Sequence, residues 1–146
     1  MRGASRGFTL IELLIVVAII GIIAAVAIPN LLNAVDKGKQ KRTMSDLRAI
    51  GTAVEAYAVD NALYPTATTL PAIKAVVDPN FFNAMPLVDG WSNPIQVDSS
   101  STSYTIFSQG KDGTGTSCPS GVTSSFNDEI CFVDGRFQRY PAGPQQ

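Results

Sequence analysis

Residues Gly7 to Asn30 read GFTLIELLIVVAIIGIIAAVAIPN, an apolar run that carries a single carboxylate, Glu12, near its start. About 20 apolar residues, each rising ~1.5 Å in a helix, cross the hydrocarbon core of a bilayer, and Phe8 to Ile28 is a run of that length. A carboxylate placed there costs about 2–4 kcal/mol unless it is protonated, reaches the headgroups or meets a cation, so Glu12 marks a candidate functional site. Its position close to the helix start lets it snorkel to the headgroup layer. The alternative partner is an amine. Cleavage after Gly7 would leave a new ammonium on Phe8, and Glu12 of one copy could neutralise that of a neighbour packed alongside.

A second processing route competes. Arg2 and Arg6, the apolar run and Ala25-Val26-Ala27 also fit an ordinary secretory signal with a small-residue cleavage site. The apolar region is too long for that reading, since such regions hold about 7–15 residues. Flanking charge does not set the orientation, because Lys37, Lys39, Lys41 and Arg42 after the run outnumber Arg2 and Arg6 before it.

Downstream the helical pattern continues. Leu47, Ile50, Val54 and Tyr57 recur at spacings of three and four, with Asp46, Arg48 and Glu55 on other faces, as in an amphipathic helix ending near Asp60-Asn61. From Phe8 such a helix would be roughly 80 Å long, with Pro29 removing one backbone hydrogen bond and favouring a kink. Past Tyr64 the chain is punctuated by Pro65, Pro71, Pro79, Pro86 and Pro94, with a short helix expected over Ala72 to Val77. Ser103 to Ser108 alternates apolar and polar residues. Ile130 to Val133 and Arg136 to Tyr140 flank Asp134-Gly135, the signal of a two-residue type I′ hairpin. The plan is α+β, a long N-terminal helix packed on a small antiparallel sheet with a loop-rich C-terminal region. Its parts are a leader over 1–7, a membrane-spanning segment over 8–30, an amphipathic continuation over 31–61 and one small domain over 62–146.

Composition narrows the function. The chain has 146 residues, a net charge of −1 and no histidine. Lys37 to Arg42 is one local basic cluster on a near-neutral chain, which gives no support for nucleic-acid binding. The commonest general base and metal ligand is missing, and no phosphate loop, nucleophile elbow or paired-carboxylate motif appears. An enzyme is not expected.

The basic leader MRGASRG followed by FTLIELLIVVAIIGIIAAVAIPN resembles the class III signal of type IV pilins and of the pseudopilins of type II secretion. The resemblance implies cleavage after Gly7 by a prepilin peptidase, N-methylation of Phe8, alignment of subunits by Glu12, and local loss of helical order between Gly21 and Pro29 on assembly. It places the leader in the cytoplasm, the span in the inner membrane as a single pass, and the domain in the periplasm. Further along, DGWSNP (89–94), YTIFSQGKDG (104–113) and NDEI (127–130) resemble the C-terminal half of the major pseudopilin. That likeness implies a calcium ion, with Asp112 as one ligand and Asp128 and Glu129 competing to be another. Ser108, Asp112, Asp128 and Glu129 could supply the oxygens such a hard cation takes, although Asp, Ser and Gly are also ordinary turn residues.

With the domain outside the cytoplasm, Cys118 and Cys131, an even pair around a Ser, Thr and Gly-rich loop, favour a disulfide worth about 3 kcal/mol in the chain-entropy model. Zinc is not expected, because no His or second Cys pair completes four ligands. Here the chain departs from its resemblance. Thr114 to Phe126 is long for a pseudopilin loop, and a C-terminal disulfide bracket is typical of type IV pilins. The resemblance implies a structural subunit of a helical filament, with the type II secretion pseudopilus as the preferred form. The alternatives are a type IV pilus subunit on the cell surface serving adhesion, motility or DNA uptake, and a monomeric membrane-anchored calcium-binding module. Implied partners are further copies of the chain, minor pilins or pseudopilins, the prepilin peptidase, and an inner-membrane platform protein with its cytoplasmic ATPase.

Overall fold

The computed structural model describes residues 7–78 and 80–145, so residues 1–6 of the expected leader, Pro79 and Gln146 lie outside the described residues. Helix α1 runs Leu10–Asn61, with Pro29 inside it. It stops at Asn61, whose side-chain amide donates to the Tyr57 carbonyl at 2.9 Å, and Ala62 then turns left-handed with φ 63°.

The chain divides into two compact units, one through Val35 and one from Asp36 onward. In the first, every described side chain except that of Ala24 is exposed. Its helix contains an 18-residue window of mean hydropathy 3.1 with none of that window buried, long and apolar enough to cross a membrane.

In the second unit, the buried helix residues Thr43, Leu47, Ile50 and Val54 follow one stripe. This stripe and helix α2 (Leu70–Val77), through Leu70, Ile73 and Val77, form the core with Ile95, Tyr104, Ile106, Ile130 and Phe132. Burying each large aliphatic or aromatic side chain contributes about 1.5–3 kcal/mol. Gly51 allows the close approach of helix and sheet, since a Cβ there would lie 2.3 Å from the Phe132 ring.

The sheet has five strands: β1 (Gln96–Ser99), β2 (Tyr104–Ser108), β3 (Gly121–Thr123), β4 (Ile130–Val133) and β5 (Arg136–Pro141). Their order is β1-β2-β4-β5-β3. Three pairings are antiparallel and β3 pairs with β5 in parallel, so the expected α+β plan stands with a mixed sheet in place of an antiparallel one. The hairpin turn falls on Asp134 and Gly135, both with positive φ (45° and 83°), as a type I′ turn requires. Tyr104 ties the layers together. Its hydroxyl donates to Glu55 on α1 at 2.8 Å and accepts from the Gly135 amide at 3.0 Å. Burial, then the Glu55 carboxylate, pushes the phenol far above its usual range.

Candidate functional site

The start of α1 is organised around Glu12. Thr9 precedes the first helical residue, and Glu12 lies three positions on, the arrangement of a capping box. The Thr9 amide donates to Glu12 Oε2 at 2.9 Å, the Thr9 hydroxyl donates to the same oxygen at 2.7 Å, and the Glu12 amide reaches the Thr9 hydroxyl at 3.3 Å. Within the single chain the carboxylate therefore satisfies the helix's own first donors. Phe8 is 73 % exposed beside it. Gly7 precedes it, and a Cβ at Gly7 or Gly21 would meet nothing within 4 Å. Gly21 and Pro29 both lie inside α1. Sequence reasoning had overlooked Thr9, though Thr-x-x-Glu ahead of an apolar run is a readable helix-start signal.

In the domain, the segment 89–94 forms a turn packed against the helix. Asp89 is buried and accepts the amides of Trp91 and Asn93 on Oδ1, each at 2.9 Å, and the Ser108 hydroxyl on Oδ2 at 2.6 Å. Asn93 in turn donates to the Gly110 carbonyl at 2.8 Å. The helix meets this turn twice. Thr43 accepts the Gly90 amide at 2.9 Å, while Asp36 accepts the Trp91 indole at 3.0 Å and the Lys111 ammonium at 2.8 Å. A Cβ on Gly90 would stand 2.4 Å from the Lys39 carbonyl oxygen, so only glycine fits the contact. Neither Asp36 nor Thr43 had been singled out from sequence, because their partners lie about 50 or more residues away and leave no local pattern.

The four residues proposed for calcium are not gathered around one point. Ser108 is committed to Asp89. Asp112 is exposed and closes its own turn by accepting the Thr114 amide at 3.0 Å. Asp128 accepts the Ser124 and Ser125 amides on Oδ2, at 2.8 and 3.0 Å, and pairs with Arg139 through Oδ1 at 3.1 Å. Glu129 Oε2 meets the other terminal nitrogen of Arg139 at 2.7 Å. Burial alone would raise the Asp128 carboxyl, but the Ser125 and Ser124 amides and the Arg139 charge outweigh it and hold the group below the usual carboxylate range. Among the described residues no group of three or more His, Cys, Asp or Glu is placed to hold a metal ion. The expected donor set does not fit a calcium ion as arranged, since a divalent cation needs several convergent oxygens and the acidic ones already serve amides and a guanidinium.

Cys118 and Cys131 are bonded, with Cα atoms 5.8 Å apart, as expected. The bond joins the loop ahead of β3 to the centre of β4.

A capped apolar helix bearing one carboxylate, ahead of a small domain in which the helix packs on a mixed sheet, defines a pilin-like filament subunit. Residues 2–28 match the prokaryotic N-terminal methylation motif, and residues 30–122 match the model of type II secretion system (T2SS) protein G. The chain is 34% identical over 120 residues to the type II secretion system core protein G of Aeromonas hydrophila, covering 73% of this chain and 83% of that protein. It is 33% identical over 126 residues to the core protein G of Pseudomonas aeruginosa, covering 77% and 87% respectively. The chain belongs to the type II secretion system protein G family.

Proposed function

We propose that this chain is the building block of a type II secretion pseudopilus, a filament polymerised through its N-terminal helix. The carrying observation is the run of exposed apolar side chains from Phe8 to Val35, which in water would be untenable and which either a bilayer or a bundle of like helices would cover. The subunit waits in the inner membrane with its domain in the periplasm. A prepilin peptidase removes the leader after Gly7 and methylates Phe8. Extraction from the bilayer, driven by an assembly ATPase through a membrane platform, then packs the helices side by side.

Glu12 supplies the alignment. Held by Thr9 in the single chain, it exchanges those hydrogen bonds for the charge-assisted contact offered by the Phe8 amine of an adjacent copy. Gly21 and Pro29 sit where helical order would be given up most cheaply as the bundle closes. The test is Glu12→Ala and Glu12→Gln expressed with the secretion apparatus. Both variants should be processed and membrane-bound yet fail to assemble, and filaments at wild-type yield would overturn the role of the carboxylate.

A further inference from the structure

Arg139 occupies an unusual place for an arginine. It lies inside strand β5, with Cys131 of β4 as its register partner on one side and Gly121 of β3 on the other. Its side chain is only 18 % exposed, and its two terminal nitrogens divide between two acidic side chains that follow each other in the chain, Asp128 at 3.1 Å and Glu129 at 2.7 Å. The two carboxylates also reach the two ends of the long loop. Asp128 Oδ2 gathers the amides of Ser124 and Ser125, at the loop's end. Glu129 faces Gly115, at the loop's beginning, so closely that a Cβ on Gly115 would stand 2.6 Å from Glu129 Oε1. The disulfide leaves the same loop at Cys118 and lands at Cys131, directly across from Arg139.

We propose that the Arg139 guanidinium is the internal cation of this loop and that, together with the Cys118–Cys131 bond, it makes closure of the loop independent of calcium. The charge argument is direct. Two adjacent carboxylates repel unless a positive charge lies between them. A planar fork with fixed donors supplies that charge and fits two acceptors at once, which a lysine ammonium cannot do with the same geometry. The covalent bond fixes the other end of the loop. With both carboxylates engaged by a cation that belongs to the chain, a divalent ion would have to break both ion pairs and leave the guanidinium without its counter-charges.

The test uses the full-length chain in detergent with its disulfide intact, melted by Trp91 fluorescence in chelator and in millimolar calcium, for wild type, Arg139→Lys and Arg139→Met. Wild type should melt at the same temperature in both buffers. Arg139→Met should melt more than about 5 °C lower, and Arg139→Lys between the two. A wild-type midpoint that rises by several degrees in calcium would overturn the proposal. So would an Arg139→Met variant that melts with wild type. Should Arg139→Met fail to accumulate, the wild-type comparison and Arg139→Lys still decide the matter, and calorimetric titration of wild type with calcium should give no binding heat. None of these readouts depends on filament assembly.

Discussion

Asp36 on helix α1 and Lys111 in the turn after β2 are joined by an ion pair at 2.8 Å across 75 residues of chain. The same carboxylate receives the Trp91 indole, so one helix residue fastens both the 89–94 turn and the 110–113 turn. The hydrogen bond from Lys111 outweighs burial, and with the Trp91 contact it holds the Asp36 carboxyl below its ordinary value.

Acid should therefore loosen the domain at these points first. Asp36 and Asp128 both have folded values below the ordinary carboxylate value of 3.8, so their stabilisation is complete above it and is lost as pH falls through the lowered values. Asp46 runs the other way. Burial raises it, and the Arg42 contact at 3.6 Å is an ion pair too long to be a hydrogen bond, so its contribution is greatest below 3.8 and is lost as pH rises through the raised value. The net expectation is a fall in melting temperature beginning below about pH 4, shallower in Asp36→Asn. At neutral pH that variant should lose only about 1 kcal/mol, because Lys111 is half exposed and its charge is screened. Melting curves between pH 2.5 and 7, the range being chosen to bracket about 4, would check both.

Thr43→Val should be costlier than its conservative look suggests. The hydroxyl accepts the Gly90 amide and donates to the Lys39 carbonyl at 3.0 Å in a fully buried position, so an isosteric valine strands the Gly90 N–H. A loss of about 1–3 kcal/mol is expected, read from the denaturant midpoint, with Thr43→Ser retaining most of the stability.

At Gly51 two effects oppose each other. Alanine raises helix propensity by about 1 kcal/mol. Its Cβ, however, would be pressed 2.3 Å from a buried Phe132 ring that has the core behind it and nowhere to move. Overpacking costs about 1–3 kcal/mol, so Gly51→Ala should be net destabilising. Combining it with Phe132→Leu should return part of the loss in a double-mutant cycle.

Replacing Cys118 and Cys131 together by serine should lower stability by about 3 kcal/mol in the chain-entropy model. It should also open residues 114–126 to limited proteolysis while leaving the helix stripe protected, which peptide mapping of the first cleavage products would reveal.

What could be read from the residues was whatever has a period or a local signature. Leu47, Ile50 and Val54 announced the buried face of α1, and Asp134-Gly135 announced the hairpin between β4 and β5. Glu12 stood out because a carboxylate in an apolar run is rare, and the cysteine pair because its number and compartment suffice. Strand β3 was invisible. Gly121-Val122-Thr123 carries no alternation, sits among turn formers, and becomes a strand only because β5 offers it an edge. The engagement of the acids expected to hold calcium was illegible at the same place. NDEI shows two acids and says nothing of Arg139, which reaches them from β5 with a sign and geometry that only the sheet register supplies.

Strand β5 is the last strand among the described residues, yet it is hydrogen-bonded along both edges, by β4 on one side and β3 on the other. After it the tail turns back, and Gln145 donates to the Thr123 carbonyl and accepts the Thr123 hydroxyl, each at 2.8 Å. A ribosome or translocon still holding residues 136–145 is therefore holding an interior strand, not a trailing edge. A chain that has not yet released residues 136–145 cannot complete this sheet, so the domain stays threadable until that stretch is free to pair.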